Sequence, residues 1–163
     1  MKIRTAVNKR LIDKARAQKT ALRRLRRKGA DPAAAPCVEL CYKRLYFIKL
    51  LGLAARTPFE PKKIDYTLFY DPVTNLGGLT DCVPAYEECD VEESRLMAER
   101  YTLADYEKQK DRIIEQNILR SYLLKRPELR YMGCEEVYLP YWVCTWPSGV
   151  QVMINAATGR VNL

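Results

Sequence analysis

The last third of the chain constrains the fold most. From Glu136 to Trp146 and from Val150 to Ala157, two runs rich in Val, Tyr, Trp and Ile flank Pro147-Ser148-Gly149, which predicts a β-hairpin. The second run alternates Val150, Val152, Ile154 and Ala156 with Gln151, Met153 and Asn155, so one face is expected to be buried. The first run is apolar on both faces. Pro140 within it has no N–H to give to a ladder, which predicts an edge or a bulge there. Ahead of the hairpin, the span from Thr102 to Arg126 reads as a long helix. Its stripe is Ile114, Ile118 and Tyr122, widened by Leu119 and Leu123. Thr102 with Asp105 predicts its cap, and Pro127 its stop.

The end of the hairpin, Val152-Met153-Ile154-Asn155-Ala156-Ala157-Thr158-Gly159-Arg160-Val161, resembles the closing strand of small PepSY-type modules. The Thr158-Gly159 turn and its apolar flanks carry that resemblance, which spans about residues 102–161. Asn155 stands where that family has an acidic residue. The resemblance implies a non-catalytic binding or regulatory domain, in many cases outside the cytoplasm.

Charge divides the chain differently. Residues 1–30 hold 12 of its 28 Lys and Arg against a single acid, Asp13, whereas the rest is mildly acidic. At about 100° per residue, Ile3, Val7, Leu11, Ala15, Leu22 and Leu25 fall on one face of this segment, and Gly29 is placed to end a helix. Residues 1–30 are therefore expected to form a basic amphipathic helical arm. Such an arm suits three roles. Lys9, Arg10, Lys14, Arg16, Lys19, Arg23, Arg24, Arg26, Arg27 and Lys28 could neutralise phosphates of nucleic acid. They could lie on a membrane surface, although the arm lacks the aromatic residues that such helices use. Or the apolar stripe could dock on the domain with its charges solvated.

Residues 31–36 (DPAAAP) read as a linker, and 37–163 as a single domain of sufficient length for one core. Cys37 to Ala54 is nearly apolar all round and is expected to be a buried helix. Ile64 to Tyr70 alternates as a strand, with turn signals at Asp71-Pro72 and from Asn75 to Gly78. Asp90 with Glu93 suggests a cap for a further helix reaching about Arg100. The acids Asp81, Glu87, Glu88, Asp90, Glu92 and Glu93 lack the order of a calcium loop; pairing with the basic arm, in one chain or across a dimer, is an alternative use.

The chain contains no histidine, which excludes Ser-His-Asp and Cys-His catalysis and the His-containing zinc hydrolase sites. A paired-carboxylate hydrolase would draw on residues such as Glu87, Glu88, Glu135 or Glu136. Cys37, Cys41, Cys82, Cys89, Cys134 and Cys144 lack zinc-site spacing, and no secretory pattern precedes them, so reduced, buried thiols are expected. No run approaches the roughly 20 apolar residues of a transmembrane helix.

The expectation is thus an α+β domain of several helices packed on a small antiparallel sheet with a C-terminal hairpin, preceded by the basic helical arm. It is expected to be a cytoplasmic, non-enzymatic protein, without cofactor or metal, that engages the phosphate backbone of DNA or RNA through the arm. The alternative is a protein-interaction module built on the C-terminal helix–hairpin, with the arm docked on a protein partner, in a homodimer, or on residues 81–93.

Overall fold

The computed structural model describes residues 1–7, 11–55 and 61–162, without the side chains of Ala55 and Asn162. The elements are β1 (Lys2–Ala6), α1 (Lys14–Arg27), β2 (Cys37–Ala55), β3 (Pro61–Asp71), β4 (Leu76–Thr80), β5 (Tyr86–Asp90), α2 (Leu103–Asn117), β6 (Glu128–Thr145), β7 (Gln151–Asn155) and β8 (Val161–Asn162). Hydrogen-bonded neighbours follow the order β4-β3-β2-β6-β1-β5, with β7 on β6 and β8 on β7. The parallel pairing of β1 with β6 at Thr5 and Tyr138 makes the sheet mixed. This corrects the expectation of several helices on a small antiparallel sheet behind a helical arm. Strands dominate, and α1 and α2 are the α-helices among the described residues.

Three local expectations are overturned with it. Residues 37–54 are not a helix but most of β2. A run apolar on every side satisfies either period, and here the β-branched and aromatic residues sit in an inner strand of the order. The segment after Asp90 forms one 3-10 turn, Glu93–Arg95, in place of a helix to Arg100. Among the described residues of 1–30, only Lys14–Arg27 is α-helical, and Lys2–Ala6 is a strand.

The chain divides into two compact units, one of residues 1–43, 85–97 and 138–163, the other of 44–84 and 98–137. In the first unit, β1 pairs antiparallel with β5 and sets Lys2 opposite Asp90 and Arg4 opposite Glu88. β6 and β7 pair antiparallel across Pro147-Ser148-Gly149, where Gly149 takes φ +85°. Pro140 falls between Tyr138, where β6 meets β1, and Tyr141, where it begins to meet β7. The missing N–H therefore lies at a change of partner. α1 buries Ala17, Ala21 and Leu25 against Val38, Cys144, Trp146, Val152 and Ile154.

In the second unit, β3 pairs antiparallel with β2 and β4 with β3. α2 lays Tyr106 and Ile113 on Ile48, Leu50, Leu68 and Tyr70, and Ile118 closes the cluster. Its cap uses the predicted residues: the Asp105 carboxylate accepts from Thr102 N (2.9 Å) and Thr102 Oγ1 (3.1 Å). The helix ends well short of Arg126. Asn117 Nδ2 donates to Ile113 O (2.7 Å) and Ser121 Oγ to Ile118 O (2.8 Å), so side chains compete for the carbonyls that would carry the helix on. Leu123 and Leu124 follow, 95% and 96% exposed.

Candidate nucleic-acid interface

Three contacts fix the start of α1. Ile12 N donates to Ala156 O (2.9 Å), Trp142 Nε1 donates to Ile12 O (2.8 Å), and Asp13 caps the helix by accepting from Arg16 N (2.7 Å). At the far end Gly29, at φ +80°, lets Ala30 N return to Leu25 O (3.0 Å). The buried stripe is Ala17, Ala21 and Leu25, at i, i+4 and i+8. Small residues there let the helix approach the strands closely. Of the face read from the sequence, Ile3 lies in β1, Leu11 and Ala15 are exposed, Leu22 is half-buried, and Leu25 alone is buried within α1.

That docking fixes where the charges point. Lys14, Arg16, Lys19, Arg23, Arg24, Arg26, Arg27 and Lys28 are all exposed, while Lys9 and Arg10 lie outside the described residues. They do not form one uniform patch. Arg26 is paired with Asp31 (3.0 Å). Lys14 lines a cavity of about 560 Å³ with Cys37, Glu39, Arg95 and Trp142. Arg23, Arg24 and Arg27 meet in another, of about 490 Å³, together with Thr20, Val161 and a fourth guanidinium, that of Arg160.

Sequence reasoning missed Arg160. It lies far from the basic segment, and only the docking of α1 beside the β7–β8 turn brings it near. The turn itself is tightly specified. Asn155 Oδ1 accepts from Ala157 N (2.9 Å) and Thr158 N (3.0 Å), Gly159 takes φ +72°, and Arg160 N donates to Thr158 Oγ1 (3.2 Å). Among the described residues, no carboxylate forms an ion pair with Arg23, Arg24, Arg27 or Arg160.

The other candidate chemistries fare differently. Glu135 is held by Lys49 (2.6 Å) and Glu136 by Arg44 (3.3 Å), which also binds Glu99; these carboxylates serve ion pairs. Glu87, Glu88 and Asp90 ride on β5, exposed. Burial pushes the Cys41 and Cys89 thiols up, and Cys144 to about 11, away from the thiolate that a nucleophile or metal ligand requires. Cys37, Cys82 and Cys134 are exposed and Cys41 and Cys89 half-buried, so of the thiols expected to be buried only Cys144 is. Among the described residues, no group of three or more Cys, Asp and Glu could hold a metal ion, and no helix is long and apolar enough to cross a membrane.

No protein-family model, characterised protein or solved structure matches this chain. Neither nucleic-acid binding nor any other function therefore reaches it from a relative.

Proposed function

We propose that the protein binds the phosphate backbone of nucleic acid through the exposed face of α1, with Arg16, Lys19, Arg23, Arg24, Arg27 and Lys28 as the contacting cations and Arg160 beside them. The observation that carries this reading is the cavity lined by Arg23, Arg24, Arg27 and Arg160, four guanidiniums without a carboxylate partner among the described residues. Guanidinium forks fit phosphate oxygens bidentately, and burial of Ala17, Ala21 and Leu25 in the protein's own core holds the basic face outward. Lys9 and Arg10 remain part of the proposed site on sequence grounds. A cytoplasmic location belongs to the same proposal, because nucleic acid and reduced cysteines occur together there.

The test is fluorescence anisotropy of full-length protein with labelled DNA and RNA at rising salt. Binding whose log K falls linearly with log salt is expected, because bound cations displace counterions. An absence of binding at low salt overturns the reading. One observation favours the protein-interaction alternative: Leu123, Leu124, Tyr131 and Met132 of the second unit expose 95%, 96%, 66% and 61% of their surface. Capture of a protein partner that survives substitution of the four arginines would support it.

A further inference from the structure

The arginine cavity differs in kind from the rest of the basic face. Arg24, Arg26 and Arg27 occupy the last turn of α1, where cations complement the negative end of the helix dipole. They have a structural reason to be there. Arg160 has none of that kind. It belongs to a turn between β7 and β8, and that turn presents a fourth like charge to the same cavity as Arg23, Arg24 and Arg27. Like charges gathered with no ion-paired carboxylate among the described residues oppose folding, and exposure to solvent only moderates the effect. An anionic occupant relieves it.

The charge count narrows that occupant. A backbone phosphodiester carries one negative charge, and successive ones are spaced along the strand. A phosphomonoester carries about −2 at pH 7 and offers three acceptor oxygens at one point. Four guanidinium-bearing residues lining one cavity match the second better than the first. Thr20 adds no competing carboxylate, and its hydroxyl already donates to Arg16 O (2.9 Å).

We infer that the cavity of Arg23, Arg24, Arg27 and Arg160 is a seat for a phosphomonoester, so that the protein prefers nucleic-acid ends bearing a terminal phosphate. This rests on the nucleic-acid reading above and names the part of the ligand that this cavity takes. The remaining cations of α1 follow the backbone leading away from that end.

The experiment compares one labelled oligonucleotide carrying a 5′-phosphate, a 3′-phosphate or hydroxyl ends, bound to full-length protein, Arg160→Gln and Arg160→Lys. Wild type binds one of the phosphorylated ends about tenfold more tightly than hydroxyl ends, the size of one charge-assisted hydrogen bond. Arg160→Gln weakens binding of hydroxyl ends slightly, by one backbone contact, and of the phosphorylated end far more, which removes the preference. Arg160→Lys keeps a point charge but not the fork, and restores it in part. The preference also shrinks from pH 7 to pH 5, because the second phosphate ionisation lies at about pH 6. Equal affinity for all three ends, with salt-sensitive binding intact, overturns the seat and leaves the backbone reading standing. An absence of binding to any of them removes both.

Discussion

Leu25 and Leu11 test the docking of α1 one residue at a time. Leu25 is 5% exposed in the cluster with Trp146 and Ile154, and Leu11 is 49% exposed. Leu25→Ala should cost about 2–5 kcal/mol in chemical denaturation, whereas Leu11→Ala should stay within about 0.5 kcal/mol. A folded, amphipathic arm free of the domain would give the two substitutions similar, small effects. Periodicity pointed to Leu25 but also to Leu11 and Ala15. The true stripe uses Ala17 and Ala21, whose small size matters for close approach and gives almost no hydropathy signal.

Buried titratable groups set a second expectation at this scale. Burial raises Cys144 from 9.0 to about 11, and burial above all raises Tyr66 and Tyr106 from 10.0 to about 12. Each acid is harder to ionise folded than unfolded. The stability these groups contribute is therefore complete below about pH 9 and is lost as pH rises towards 11 and 12. Denaturation midpoints should be flat from pH 7 to 9 and fall above it. Cys144→Ala should lessen the part of the fall between pH 9 and 11; an unchanged profile in that variant would contradict the assignment.

At the scale of elements, the packing of α2 on β4 depends on a missing side chain. A Cβ on Gly77 would lie 2.6 Å from Ile113 Cδ1 and 3.2 Å from Phe69 O. Gly77→Ala should lower stability by about 1–3 kcal/mol, because the Ile113 terminus can turn aside but the backbone oxygen cannot. Thermal melting checks this, and a Tm equal to wild type would show that the helix is not seated there. The sequence marked Asn75 to Gly78 as a turn, and the positive φ of Asn75 (59°) fits that. It could not show that Gly77 enters β4 beneath a helix.

Signals that involve neighbours in sequence were the legible ones. The Thr102–Asp105 cap and the Pro147-Ser148-Gly149 turn each reflect a local hydrogen bond or a left-handed glycine, and both stand where the residues put them. β2 was not legible. Its burial alternates through Lys43, Leu45 and Phe47, then changes face at Ile48 and continues through Leu50, Gly52 and Ala54. That shift blurs the period of two, and Leu and Ala favour a helix when read alone. Tertiary pairing with β3 overrides the preference.

At the scale of the molecule, residues 1–30 are not an appendage. β1 pairs with β5 and β6, and α1 fills a core cluster. Deleting residues 1–30 should therefore abolish the cooperative melting of the first unit as well as any nucleic-acid binding. Circular dichroism would register that change; a deletion variant that melts like the full chain would contradict the packing described. The partition into units could not be read from sequence, because each draws on segments far apart in the chain and both β2 and β6 pass through the two. The same long-range assembly brings Arg160 to Arg23, Arg24 and Arg27.

The central claim is that those four arginines bind phosphate, and substitution without deletion tests it most directly. Full-length protein and the variant Arg23→Gln, Arg24→Gln, Arg27→Gln, Arg160→Gln would be titrated with one labelled duplex across a salt series. All four side chains are exposed, so the variant should melt like wild type. Wild type should bind with a negative log K against log salt slope, and the variant's slope should be shallower by about one for each phosphate that an arginine no longer neutralises. Equal affinity and equal slope for both proteins would contradict the claim.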